Sequence, residues 1–317
     1  MSGVSDLPFR RMAKALGAPF VVSEMVASEE LVKHRADVLR RAEGRELSPF
    51  VIQLVGREAH WMAEGAKVAE GLGADVIDIN MGCPAKEVTG KLSGSALMRN
   101  LDHAQELLKA VVGAVKIPVT LKMRLGWDRN SLNAPDLAQR AEAEGILRLT
   151  VHGRTRCQFF AGKADWGSVR LVVEATKLPV LVNGDILTPD DARTALAASG
   201  AAGVMIGRGA YGAPWLPGRI ARYLDSGIDP GVPPLETQRA TALQHIADMY
   251  AHYGTTLGVK NARKHIGWYL ERSGADLAVA KSWRARLCTE AKPEAVLDGL
   301  GEFYDRLSGA PVKAAAA

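Results

Sequence analysis

The chain has 317 residues, 47% of them hydrophobic and 24% charged, which is enough apolar matter for a sizeable core and excludes a disordered protein. No apolar run reaches the ~18 residues of a membrane span, the stretch 111–119 being broken by Lys116 and Pro118, and no basic-then-apolar leader opens the sequence. The formal charge of +5 permits a polyanionic partner without requiring one; three scattered cysteines, Cys83, Cys157 and Cys288, argue against disulfides or a zinc site and for a reducing, cytoplasmic compartment.

The chain opens with Met1-Ser2-Gly3-Val4-Ser5-Asp6-Leu7-Pro8, a loop running into a helix with Asp6 as candidate N-cap and no strand before it. Short, nearly continuous apolar runs follow, at 20–23, 50–55, 75–80, 118–122, 147–152, 179–183 and 203–206. Amphipathic stretches such as 59–72, 104–115 and 135–144 lie between them. Continuous apolarity suits parallel strands covered on both faces, and the alternation means βαβ units. The expected fold is a (β/α)8 barrel of about 250 residues whose first strand is missing or truncated, followed by a small C-terminal helical domain.

Residues 226–235 are rich in Gly and Pro and read as a linker, which divides the chain into a barrel over 1–225 and a helical domain over 236–310. In that second part Leu243, Ile246, Ala247 and Tyr250 share one helix face, and Val296, Leu297, Leu300 and Phe303 another. The tail 312–317 is expected to fray. Lys260, Arg263, Lys264, Arg272, Lys281, Arg284 and Arg286 stand against only Glu271 and Asp276, with Trp268, Tyr269 and Trp283 interleaved. Such a run is either a solvated helix face or a surface for a nucleic-acid backbone.

Barrel chemistry gathers at the C-terminal ends of the strands. Asn183-Gly184-Asp185 and Gly207-Arg208-Gly209 close the last two strands, and paired glycine turns there expose backbone N–H groups suited to a phosphate. Lys122 interrupts an apolar strand, so it needs a partner or a nearby negative charge; Gln53 and His152 lie at the same level. Cys83 follows a strand directly, between Gly82 and Pro84 and flanked by Asn80 and Lys86. A free cysteine is commonly a packing residue, but this context favours chemistry. Thiols in general stay mostly protonated at neutral pH and can give a proton to a carbanion-like carbon. Cys157 and Cys288 read as packing residues.

The block Asn80-Met81-Gly82-Cys83-Pro84, with Val88, Lys91 and Gly94-Ser95-Ala96-Leu97-Met98, resembles the signature of the tRNA-dihydrouridine synthases. Residues 3–10, 122–127, 152–156, 183–185 and 260–265 resemble further blocks of that family, and the bacterial B-type branch is the most similar. The resemblance implies FMN as cofactor, NADPH or NADH as reductant, no metal, a monomer, and tRNA D-loop uridine as substrate. By position it assigns FMN binding to Met1, Gln53, Lys122, His152, Asn183, Gly184, Asp185, Gly207 and Arg208. It makes Cys83 the acid that protonates C5 of uracil while reduced flavin delivers hydride to C6. Asn80, Lys91, Arg154 and Arg156 would hold the flipped nucleotide, and Lys260, Arg263 and Lys264 the tRNA body. The family pattern starts with a strand ending Ala-Pro-Met-Ala-Gly; Met1 falls on its Met and Ser2 replaces the following Ala. The first strand is thus expected to be absent, through a start codon assigned too late or a real truncation. Two rival readings are a dihydroorotate dehydrogenase-like reductase of free pyrimidines, with no use for the helical appendage, and a flavin-less RNA-binding or regulatory protein.

Overall fold

A computed structural model describes residues 1–309, and the tail expected to fray lies outside them. The opening loop runs into α1 (Leu7–Ala15), where Asp6 Oδ1 accepts from the Phe9 N–H at 3.1 Å, the expected cap. Then come β1 (Met25–Ala27), α2 (Ser28–Val32), α3 (Ala36–Ala42), β2 (Val51–Val55), α4 (Ala59–Gly71) and β3 (Val76–Met81). After β3 lie α5 (Lys86–Thr89), a 3-10 turn (Gly94–Arg99), α6 (Leu101–Ala114), β4 (Val119–Arg124) and α7 (Ala134–Ala143). The series ends with β5 (Arg148–His152), α8 (Trp166–Ala175), β6 (Val180–Asn183), α9 (Pro189–Ser199) and β7 (Gly203–Met205).

The seven strands form one parallel sheet in chain order, β1 to β7, a TIM-barrel-like arrangement. Among the described residues β1 and β7 do not pair with each other. Six strands fall where the apolar runs place them, but the first does not. The run 20–23 is not a strand; the ladder begins at Met25, opposite Gln53. Phe20, Val21 and Val22 are only half-buried, whereas Ser23 and Glu24 are buried, and Ser23 N–H already bonds Val51 O at 3.1 Å. Burial, not apolarity, decides where this strand starts.

Alternation along the strands divides the sheet into two faces. Ile52, Leu54, Ile77, Ile79, Leu121, Met123, Leu149, Val151 and Val182 are nearly or fully buried on one. The register aligns Gln53 with Asp78, Asp78 with Thr120, Asn80 with Lys122, Lys122 with Thr150, Arg124 with His152 and His152 with Asn183 on the other. The inner face is polar toward its C-terminal end, which is what builds a site there. Asn100, Asp165 and the Thr188–Asp191 capping box start α6, α8 and α9.

The chain separates into two compact units: Met1–Arg10 with Phe20–Gly209, and Arg11–Pro19 with the described residues from Ala210 on. The second compact unit thus takes up the chain again at Ala210, ahead of the 226–235 stretch. Helix α10 (Leu216–Ser226) belongs to the second unit, where Gly218 lies so close to Leu16 that an added Cβ would stand 2.1 Å from the Leu16 carbonyl oxygen. That unit continues with α11 (Leu235–Arg272), broken at Gly254 (φ 72°, ψ 166°), α12 (Leu277–Thr289) and α13 (Pro293–Ser308). Ile246, Tyr250, Val296, Leu300 and Phe303 are buried as expected, while Leu243, Ala247 and Leu297 are half-buried. No helix among the described residues is long and apolar enough to cross a membrane.

Candidate active site

Cys83 sits two residues beyond β3, half-buried, in a turn held by Asn80. Asn80 Oδ1 accepts from the backbone N–H groups of Gly82 (3.0 Å) and Cys83 (2.9 Å). On the far side, Ser95 closes on the Cys83 carbonyl with its N–H (3.0 Å) and hydroxyl (2.7 Å). Gly94 permits that approach: its φ is +59°, and a Cβ would lie 2.9 Å from Cys83 O. The small-residue run after the cysteine thus serves to clamp its turn. Behind Asn80 lie Gln53, which the sequence singled out, and Asp78 and Thr120, which it did not. Asn80 Nδ2 donates to Gln53 Oε1 (2.8 Å), Gln53 Nε2 donates to Asp78 Oδ2 (2.5 Å), and Thr120 Oγ1 donates to Asp78 Oδ1 (2.6 Å). Burial pushes the Asp78 carboxyl up, against the pull of Thr120, Gln53 and Lys122.

Lys122 finds its partner in Asn183, whose Oδ1 accepts from Nζ at 3.2 Å while Nδ2 donates to Met205 O at 2.8 Å. Burial first, then the Arg124 guanidinium, brings the lysine down to about 8, so it remains mostly charged at neutral pH. His152 is neutral: burial and the charges of Lys122, Arg124, Arg154 and Arg208 drive it down to about 2. Its Nε2 lies 3.2 Å from Arg154 Nη1.

Arg154, expected to hold a nucleotide, has no N–H left for one. Nε donates to Ala161 O (3.1 Å), Nη1 to His152 and Asp185 Oδ1 (3.1 Å), and Nη2 to Gly162 O (2.6 Å) and Asp185 Oδ2 (2.5 Å). With five donors used and 1% of its surface exposed, it is a strut inside the site wall. Asp185 is committed likewise: it also accepts from Ala164 N–H (2.7 Å) and Arg208 Nη2 (3.1 Å). Burial opposes its ionisation, but these bonds and the Arg154 and Arg208 charges hold its carboxyl below the usual range. Arg124 donates to the carbonyls of Gly82 (2.9 Å), Thr155 (2.7 Å) and Phe159 (2.8 Å), and so joins the cysteine turn to the loop after β5. On that loop Phe159 and Phe160 are exposed, with the Arg208 guanidinium 4.8 Å from the Phe160 ring centre. Arg156 is half-buried, donates to Thr89 Oγ1 at 3.3 Å and lies 4.8 Å over Trp127; Lys91 is exposed.

The two glycine turns leave backbone donors without partners. The backbone N–H groups of Gly184, Asp185, Gly207, Arg208 and Gly209 bond to no acceptor among the described residues. A Cβ at Gly207 would make only ordinary contacts, with Met1 Sδ at 3.7 Å and Asn183 Nδ2 at 4.0 Å, so Met1 packs beside that turn. Gly184 differs: at φ +114° a Cβ would stand 2.8 Å from Ala164 Cβ and 3.1 Å from His152 Nε2. Unpaired amides, an exposed Arg208 and Lys122 make an anion-binding donor set, which fits a phosphorylated cofactor.

Lys260, Arg263 and Lys264 lie in the second unit, on the part of α11 after Gly254. Lys260 and Arg263 are exposed and Lys264 is half-buried. Lys281, Arg284 and Arg286 of α12 are exposed too, Arg286 pairing with Glu302 at 3.1 Å. The interleaved aromatics have a different fate: Tyr269 is buried, with its hydroxyl 2.9 Å from His245 Nδ1, and Trp268 stacks on Tyr211.

Residues 1–306 match the protein family described as dihydrouridine synthase (Dus). The chain belongs to that family. It is 52% identical over 305 residues to a protein of Rhizobium leguminosarum bv. phaseoli named "Probable tRNA-dihydrouridine synthase", covering 96% of this chain and 93% of the relative. It is 42% identical over 308 residues to tRNA-dihydrouridine synthase B of Pseudomonas syringae pv. tomato, covering 96% and 90%. Among solved structures, histamine dehydrogenase from Rhizobium sp. 4-9 superposes with a TM-score of 0.55 at 11% identity, covering 98% of this chain and 60% of that one. That likeness is one of fold.

Within this dihydrouridine synthase, the residues missed by sequence reasoning are Asp78 and Thr120. A period-two signal carried them: Asp78 lies two before Asn80, and Thr120 two before Lys122, on the same strand faces.

Proposed function

We propose that this dihydrouridine synthase reduces D-loop uridines of tRNA to 5,6-dihydrouridine, with FMN as its cofactor and NADPH as the reductant. The observation that carries the reading is the Cys83 turn, clamped by Asn80 and Ser95 at the strand ends where Lys122, His152 and the unpaired glycine-turn amides also gather. FMN, bound and reduced, supplies the hydride for C6 of uracil. The Gly207–Gly209 and Gly184–Asp185 amides and Arg208 would hold its phosphate, and Lys122 would supply positive charge to its ring. Cys83 gives its thiol proton to C5, so one hydride and one proton saturate the C5–C6 double bond. His152, kept neutral, offers a ring N–H as donor. The Arg124 and Arg154 struts keep the surrounding loop fixed. Lys91 and Arg156 would meet the nucleotide, and Lys260, Arg263 and Lys264 the tRNA backbone.

A family match reaching to residue 306 takes in the helical appendage, which supports a tRNA substrate over a free pyrimidine. The test is to incubate purified protein with unmodified tRNA, FMN and NADPH and map dihydrouridine by mass spectrometry. Product confined to D-loop positions supports the reading, and NADPH oxidation without such product counts against it.

A further inference from the structure

Asp78, Gln53 and Asn80 form a chain of hydrogen bonds in which every group has a fixed direction. A carboxylate oxygen receives at one end: Gln53 Nε2 donates to Asp78 Oδ2 at 2.5 Å. Two backbone N–H groups give at the other end, to Asn80 Oδ1 at 3.0 and 2.9 Å. Each amide between them has one donating and one accepting end, so its orientation is dictated by its neighbour. With Nε2 turned to Asp78, Gln53 presents Oε1 to Asn80. Asn80 must then offer Nδ2, at 2.8 Å, and keep Oδ1 for Gly82 and Cys83. All three side chains are 6% exposed or less, so water cannot readily replace a lost partner.

We propose that Asp78 is a positioning residue which, through Gln53 and Asn80, fixes the backbone turn that carries Cys83. It touches neither substrate nor cofactor; its contribution is to present one acceptor that sets the direction of two amides. Without that acceptor Gln53 has no reason to keep its amide oriented, and a reversed Gln53 would put an NH2 group against Asn80 Nδ2. Asn80 would then rotate or lose its bond, releasing the Gly82 and Cys83 N–H groups. The role belongs to the acceptor and not to the negative charge. Asp78→Asn can still give its carbonyl to Gln53 while its NH2 donates to Thr120 Oγ1; Asp78→Leu cannot.

This inference rests on the reading of Cys83 as the acid, so one of its measurements is independent of that reading. Wild type, Asp78→Asn, Asp78→Leu and Gln53→Met would be treated with iodoacetamide, and alkylation of Cys83 followed by mass spectrometry with exposed Cys157 as internal reference. In Asp78→Leu and Gln53→Met, Cys83 alkylation relative to Cys157 rises about fivefold, the loss of roughly one hydrogen bond's hold. Asp78→Asn stays within about twofold of wild type. Where dihydrouridine formation is followed, Asp78→Leu lowers kcat by about tenfold or more and leaves KM for tRNA unchanged. Should Asp78→Leu fail to fold, Gln53→Met gives the same alkylation reading. An unchanged Cys83 in Gln53→Met overturns the proposal. So does an Asp78→Asn protein altered as much as Asp78→Leu, since charge would then be what matters. A wild type that makes no dihydrouridine would refute the functional reading and leave the alkylation result to judge the relay.

Discussion

Arg154 donates from Nη1 to Nε2 of His152 across 3.2 Å, and that contact settles which nitrogen of the ring carries the proton. A guanidinium has no lone pair to accept with, so Nε2 accepts and the hydrogen resides on Nδ1. The same arginine spends its other donors on Asp185, Ala161 and Gly162, so one buried residue fixes a tautomer, a carboxylate and a loop. Arg154→Lys should therefore be severe. An ammonium brings three donors from a point where five in a fork are needed, leaving Asp185 partly unpaired. We expect a loss of ~3–5 kcal/mol in urea unfolding, together with poor FMN retention. A Tm within a degree or two of wild type would contradict the strut.

The two glycine turns should respond differently to alanine. At Gly184 a Cβ collides with Ala164 and His152 on a backbone at φ +114°, and ~1–3 kcal/mol of stability should be lost. At Gly207 a Cβ would meet only ordinary contacts, Met1 Sδ at 3.7 Å and Asn183 Nδ2 at 4.0 Å, so Gly207→Ala should fold normally and weaken only FMN affinity, by crowding the turn's amides. Flavin fluorescence titration and thermal melting on both variants separate the two effects.

Six strands were legible in the sequence because turn residues bracket short apolar runs; the start of the first was not, since Phe20–Val22 look more strand-like than the buried Ser23–Glu24 that precede β1. Cys83, Lys122 and the glycine turns were legible for a related reason: each is an oddity at a strand end. The bonds of Arg154 were not legible: a strand-end arginine advertises charge, while its partners depend on where the carbonyls of Ala161 and Gly162 come to lie, which is set by folding alone. Asp78 was hidden by its apolar neighbours Ile77 and Ile79, which face the other way.

Stability should fall in mild acid. His152 and His245 are buried and neutral, held down to about 2 and about 3, the first by burial and four neighbouring cations and the second by burial. Once unfolded, both regain a pKa near 6.5 and bind protons that the folded state refuses. The unfolding free energy is thus full above about pH 6.5 and is lost progressively as pH falls toward the folded values. From about pH 6.5 to about pH 5 each histidine should cost ~2 kcal/mol. His245→Phe should flatten that dependence in urea titrations by about one proton's slope.

The basic face of the second unit should act through charge alone. Lys260 and Arg263 are exposed, so Lys260→Ala and Arg263→Ala should leave Tm unchanged. If each meets a tRNA phosphate, each should weaken binding at every salt concentration and lower the slope of log K against log salt by ~1. Filter binding across a salt series reads both quantities.

The central claim is that Cys83 supplies the proton. Single-turnover reduction of tRNA by Cys83→Ala loaded with FMN and reduced by NADPH tests it most directly, with dihydrouridine read by mass spectrometry. We predict normal flavin content and a normal Tm with dihydrouridine formation slowed by about a hundredfold or more. Dihydrouridine appearing at the wild-type rate from that variant would contradict the account.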